Sequence, residues 1–235
     1  MFTWQRSITA STQALVAAVV ALALLTGSFL VLEPRIGLAQ PNVSTFTISQ
    51  DIIGEISFLV PANNAVMYGS LSGITGGTAN GSSTFVVQSN NTSGYTVGIA
   101  FFDNGSGQAM QGINSLSDAI RDYPSTGGGQ PTFTFSTAST SAVFGYTVES
   151  DDPADLDQSF KDDGGACDTG SGFTAERCWM EPTVASFQII DANQEATEGA
   201  TSTLFFRVHV PNNPNPPLVT DTYRATATLT ALNKP

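Results

Sequence analysis

Eight of the twenty residues from Glu149 to Asp168 are Asp or Glu, and here the chain comes nearest to metal chemistry. Asp155, Asp157 and Ser159 have the i, i+2, i+4 oxygen spacing that opens a calcium loop. Phe160 stands where the sharp-turn glycine of the helix-loop-helix site belongs, and Ala166 where its bidentate glutamate belongs. An EF-hand is therefore excluded. An irregular structural calcium site would draw on Asp155, Asp157, Asp162 and Asp163. The competing expectation is a solvated acidic loop tied at its end by Cys167. No cofactor other than calcium is expected.

No catalytic set assembles elsewhere. His209 is the sole histidine, so the chain cannot supply His-Glu-x-x-His, and no serine sits in Gly-x-Ser-x-Gly. It shares a strand face with Phe205 and Arg207, where a structural role is expected. No carboxylate pair is marked out for glycoside hydrolysis. The glycine-rich stretch Thr75–Ser82 lacks the Gly-Lys-Ser/Thr ending of a phosphate loop and is expected to be a hairpin or inter-sheet loop. Tyr68, Tyr95, Tyr146, Trp179 and Tyr223 could stack on sugars. Trp179 directly follows Cys178, so packing over a disulfide is its expected role. Asn42, Asn80, Asn90, Asn91 and Asn104 open glycosylation triplets, which chance also produces in a chain so rich in Asn, Ser and Thr.

The segments that must position these residues change character near residue 40. Ala14–Leu32 is an unbroken run of apolar and small residues, preceded by one cation, Arg6. Gly37-Leu38-Ala39 is a small-x-small triplet after Pro34, so a signal peptidase could cut between Ala39 and Gln40. The run is also long enough to span a bilayer as an uncleaved anchor. Under either reading, residues 1–39 are a signal peptide or membrane anchor. Residues 40–235 are then a single domain placed outside the cytoplasm, extracellular or at the cell surface.

The whole chain carries a net charge of −12. Removing residues 1–39 takes away Arg6, Arg35 and Glu33 and leaves 196 residues with a net charge of −13. That is length enough for one sizeable core. So acidic a surface repels nucleic acid and anionic lipid headgroups, and both are excluded as partners. Contact with a membrane is expected only through residues 14–32, if they are retained. Both cysteines, Cys167 and Cys178, lie in the exported part, which implies a disulfide. A bridge that short pins a loop; it cannot be the inter-sheet bridge of an immunoglobulin core. Two thiols without a nearby histidine do not make a zinc site.

About nine strand signals follow, separated by Gly, Asn, Pro and Ser turns. Thr45–Ile48 alternates, and Tyr95–Phe102 alternates and stops at Asp103-Asn104-Gly105. In Tyr223–Leu232, Tyr223, Ala225, Ala227, Leu229 and Ala231 share one face, and Arg224, Thr226, Thr228 and Thr230 the other. Only Ile113–Tyr123 hints at a helix. Pro211–Pro217 cannot pair in a sheet and should be an extended connection. The expected fold is all-β, an antiparallel β-sandwich of about nine strands behind an N-terminal signal or anchor helix.

Three stretches, Gly77–Val97, Cys167–Trp179 and Asp221–Leu232, resemble secreted β-sandwich surface proteins of candidate-phyla-radiation bacteria. That group brings no established activity with it. A looser resemblance is to WxL-type cell-wall domains and spore-coat-U-type fimbrial domains, through a Gly-Tyr strand after an Asn/Ser turn and a Thr-rich C-terminal strand. In Leu229-Thr230-Ala231-Leu232, alanine stands where the WxL tryptophan belongs. The expected function is a non-enzymatic structural or adhesion protein of the cell surface. Its partners would be envelope or matrix components and copies of itself, through strand exchange with Asn42–Ser49 as the donor stretch. A carbohydrate-binding module and a secreted hydrolase built on unmarked carboxylates are the alternatives.

Overall fold

The computed structural model describes residues 5–31, 45–69, 71–103, 105–125, 129–137 and 140–235. The chain divides into two compact units, Met1–Asp51 and Ile52–Pro235. In the first, α1 (Gln5–Val31) covers the apolar run except Leu32, which lies outside the described residues. Leu, Ala and Val without an internal proline make this a helix. Among the described residues, no helix is long and apolar enough to cross a membrane. The expected cleavage site at Ala39–Gln40, and Asn42 and Asn104 of the glycosylation triplets, also lie outside the described residues.

The second unit holds twelve strands among the described residues: β1 (Ile56–Val60), β2 (Gly77–Ser89), β3 (Tyr95–Phe101), β4 (Met110–Gly112), β5 (Ala119–Asp122), β6 (Thr132–Phe133), β7 (Val143–Ser150), β8 (Cys178–Trp179), β9 (Phe187–Ala192), β10 (Ala196–Val210), β11 (Tyr223–Arg224) and β12 (Ala227–Asn233). They form a seven-stranded sheet in the order β1-β2-β10-β7-β5-β4-β11, a three-stranded sheet β12-β3-β9, and the pair β6-β8. Every pairing is antiparallel except β5 with β7, so the long sheet is mixed.

Alternation sets which side chains go inward. Along β3, Tyr95, Val97, Ile99 and Phe101 are buried and the residues between them are half-buried. One apolar cluster takes these four together with Phe85 and Val87 of β2, Phe144, Tyr146 and Val148 of β7, Ile189 and Ile190 of β9, and Leu204 and Val208 of β10. The long sheet and the three-stranded sheet thus share a core. Each fully buried side chain of this size contributes roughly 1.5–3 kcal/mol of transfer free energy.

Strand β7 departs from alternation: seven of its eight residues are buried. Its other face is covered by a second cluster, Tyr123, Phe135, Val143 and Trp179. Gly145 makes room for it, since a Cβ there would lie 2.9 Å from Tyr123 Cβ and 3.2 Å from Phe135 Cε2.

Four expectations change. The glycine-rich stretch enters β2 at Gly77 instead of looping. Its glycines admit a neighbouring backbone: a Cβ on Gly81 would lie 3.1 Å from Val66 O, and Tyr68 N–H donates to Asn80 O at 2.8 Å. Ile113–Tyr123 is a turn leading into β5, closed by the Gly112 N–H to Asp118 O and Asp118 N–H to Ser115 O bonds of the β4–β5 hairpin. Tyr223–Leu232 splits, β11 pairing with β4 and β12 with β3, so one alternating run serves two sheets. Thr45–Ile48 pairs with nothing and has no regular structure. Pro211–Pro217 is unpaired, as its composition requires.

Candidate functional site

Cys167 and Cys178 form a disulfide, with Cα atoms 5.8 Å apart. A buried disulfide of this kind is typical of proteins outside the reducing cytosol. It follows an acidic segment whose carboxylates accept from nearby N–H and O–H groups. Asp157 Oδ1 accepts from the Ser159 N–H at 3.0 Å and its hydroxyl at 2.6 Å, while Oδ2 accepts from Gln188. Asp162 is buried; its two oxygens accept from the N–H groups of Gly164 and Thr174. Asp163 Oδ1 accepts from the N–H groups of Gly165 and Ala166, and these bonds hold its carboxyl below the usual carboxylate range. Asp155 is buried near Asp152. Burial first, then that neighbouring charge, pushes its carboxyl up.

The sequence places these four carboxylates in one loop, but the structure does not converge them on one point. Among the described residues, no three His, Cys, Asp or Glu side chains gather as a metal-holding group. Spacing alone could not separate the two outcomes, because Asx turns and calcium loops use the same Asp-x-Asp/Ser pattern.

The bridge also delivers Arg177 and Trp179 to the outer face of the long sheet. Trp179 is 2 % exposed and meets Phe135 edge to face at 5.0 Å. The Arg207 guanidinium lies 4.5 Å from the Trp179 ring centroid, and its Nε donates to Asn80 across the strands. Arg177 sits 4.3 Å over the Phe205 ring and pairs with Glu149. His209 meets Thr78 Oγ1 at 3.0 Å; burial, then Arg207, holds its pKa below the usual imidazole value. These side chains knit strands together. Of the expected sugar-stacking rings, Tyr95, Tyr146 and Trp179 are buried, Tyr223 is half-buried, and Tyr68 is 79 % exposed. One open ring is not a platform.

An open cleft of about 700 Å³ has Asp118, Arg121, Asp122 and Glu181 in its lining. Asp122 Oδ1 accepts from the Ala109 N–H. Burial pushes the Asp122 carboxyl up to about 6, with smaller pushes from Glu181 and Asp103 against the pull of that bond. No pattern in the sequence singles out Asp122, since its charge neighbours come from distant stretches.

Two features remain, a strand-like segment and an open sheet edge. Phe46, Ile48, Ile52 and Ile53 are 81, 84, 86 and 76 % exposed. Asn90 fixes the entry to β1: its Oδ1 accepts from the Glu55 N–H and its Nδ2 donates to Ile53 O. Strand β1 is a poor edge, five residues long, with a register shift between Phe58 and Val60 and Pro61 behind it. Strand β12 is the opposite. It keeps an unbroken seven-residue register with β3 and carries no charge, proline or bulge, the devices that blunt a free edge. Phe102 N–H donates to Thr226 O and Lys234 N–H to Gly94 O. Antiparallel pairing alternates, so even-numbered residues bond β3, and Ala227, Leu229, Ala231 and Asn233 turn N–H and C=O to the open side.

Comparisons of this chain with protein-family models, with curated proteins and with solved structures find no match.

Proposed function

We propose that the chain is an exported, non-enzymatic β-sandwich of the cell surface that serves structure or adhesion by associating through its sheet edges. The two sandwich layers would be the long sheet and the three-stranded sheet, which share one core. Export fits the disulfide, the acidic surface and the apolar helix ahead of the domain. A surface role also fits the resemblance to secreted surface proteins.

One observation carries the reading: Phe46–Ile52 alternates like a strand yet exposes its large apolar side chains. Leaving them in water forgoes roughly 1.5–3 kcal/mol each, which association would recover. Sedimentation velocity on the purified protein over a hundredfold concentration range tests this. Concentration-dependent oligomers, seen as defined particles or fibres by electron microscopy, are expected. A single monomer boundary at every concentration would refute the reading.

A further inference from the structure

The edges of the two sheets leave a seam. Ile56 and Phe58 on β1, and Leu229 and Ala231 on β12, pack against the core but stay partly exposed. At one end the edges are tied together. Ser89 Oγ donates to Asn233 Oδ1 at 2.9 Å, and a Cβ on Gly54 would lie 3.3 Å from Asn233 Nδ2. Toward the other end, the chain beyond β1 brings Met67 and Leu71, and the chain ahead of β12 brings Tyr223. These three line a cleft of about 530 Å³ that reaches core residues Met110 and Val208. Half-covered apolar side chains, an unblunted backbone edge and a cleft of mixed polar and apolar lining therefore border the seam.

Resting on the reading above, we propose that this seam is an acceptor, and that its occupant is Phe46–Ile52 of a second copy of the chain, added as a strand beside β12. Seven residues, Phe46–Ile52, are the length needed to cover the seven of β12. Side chains match as well. With Phe46, Ile48 and Ile52 turned inward beside Leu229 and Ala231, Gln50 is the one polar residue on that face. Thr47, Ser49 and Asp51 then face water with Thr228, Thr230 and Leu232. The free N–H and C=O groups of Ala227, Leu229, Ala231 and Asn233 gain partners, and strand addition draws affinity from main-chain bonds and specificity from side-chain pockets.

Ser49 and Thr230 are the midpoints of the two stretches, so they meet whichever way the donor runs. Two single variants of the full chain, Ser49→Cys and Thr230→Cys, the second with a size tag, are mixed and oxidised. A disulfide-linked heterodimer is expected, and none when Thr84→Cys, on the outer face of the long sheet, replaces Thr230→Cys. A third variant, Ala231→Pro, removes an N–H that faces the open edge and spares those that β3 receives. Its near-ultraviolet circular dichroism should match the wild type while its oligomers vanish. If the wild type assembles but the Ser49–Thr230 heterodimer does not form, or Ala231→Pro assembles normally, the acceptor is wrong and association through another edge stands. If the double variant in one chain closes within the monomer, the segment fills its own seam and the second copy is excluded. A wild type that never assembles removes both proposals.

Discussion

Asp122→Asn should make this protein more stable at neutral pH. The carboxyl sits where burial, helped by Glu181 and Asp103, raises its pKa from 3.8 to about 6. The folded state therefore binds its proton more tightly than the unfolded chain does. The associated stability is fully present below the unfolded value, is lost as pH climbs from about 4 to about 6, and stays lost above. A shift of about two pH units corresponds to about 3 kcal/mol at 1.36 kcal/mol per unit. The group lines an open cleft and keeps some solvent, so screening reduces this to about 1–2 kcal/mol. Asparagine removes the charge and retains an oxygen for the Ala109 N–H. Urea unfolding of both proteins from pH 4 to pH 8 should show the variant ahead by about 1–2 kcal/mol at pH 7.5. The melting temperature should rise by about 2–8 °C at this chain length. The gap should close at pH 4. Asp163 and Asp221, whose carboxyls lie below the usual range, act only at lower pH, and Asp155 is common to both proteins. A difference that is absent at pH 7.5, or constant across the range, would refute the electrostatic account of this cleft.

Two further outcomes concern the frame around the outer face. Replacing both Cys167 and Cys178 with serine should cost about 3 kcal/mol by loop-closure entropy, read as a lower urea midpoint; a midpoint equal to that of the oxidised wild type would show the loop holding without its bridge. Gly145→Ala puts a methyl 2.9 Å from Tyr123 Cβ and should cost about 1–3 kcal/mol as overpacking, with a changed near-ultraviolet signal from Trp179; unaltered stability and signal would mean that the ring cluster has slack.

The candidate site was legible in unequal parts. The bridge between Cys167 and Cys178 was legible because the chain has only two cysteines, so each has one possible partner within it. The carboxylates Asp155, Asp157, Asp162 and Asp163 were visible as a cluster, but not what they do. Whether a carboxylate caps a backbone N–H or turns toward an ion depends on local dihedrals that residue type does not specify. Trp179 was expected to pack over the disulfide; it is buried, but against Phe135 and the Arg207 guanidinium. The stacking of Arg207 on that ring was not legible, since the contact joins β10 to β8, nearly thirty residues away.

The same division holds for the fold. Alternation over Tyr95–Phe102, and over the latter part of Tyr223–Leu232, set strand formation and inward faces, because side-chain direction along an extended backbone follows from local sterics alone. Proline set the break over Pro211–Pro217 for an equally local reason. Composition set the net charge of −12. Only tertiary structure decided that β5 runs parallel to β7, that Tyr223–Leu232 divides between two sheets, that glycines from Gly77 to Gly81 build a strand, and that β12 ends its sheet unpaired. Each of these depends on which distant backbone lies alongside, and hydrogen bonds between strands are indifferent to the side chains that sequence patterns record.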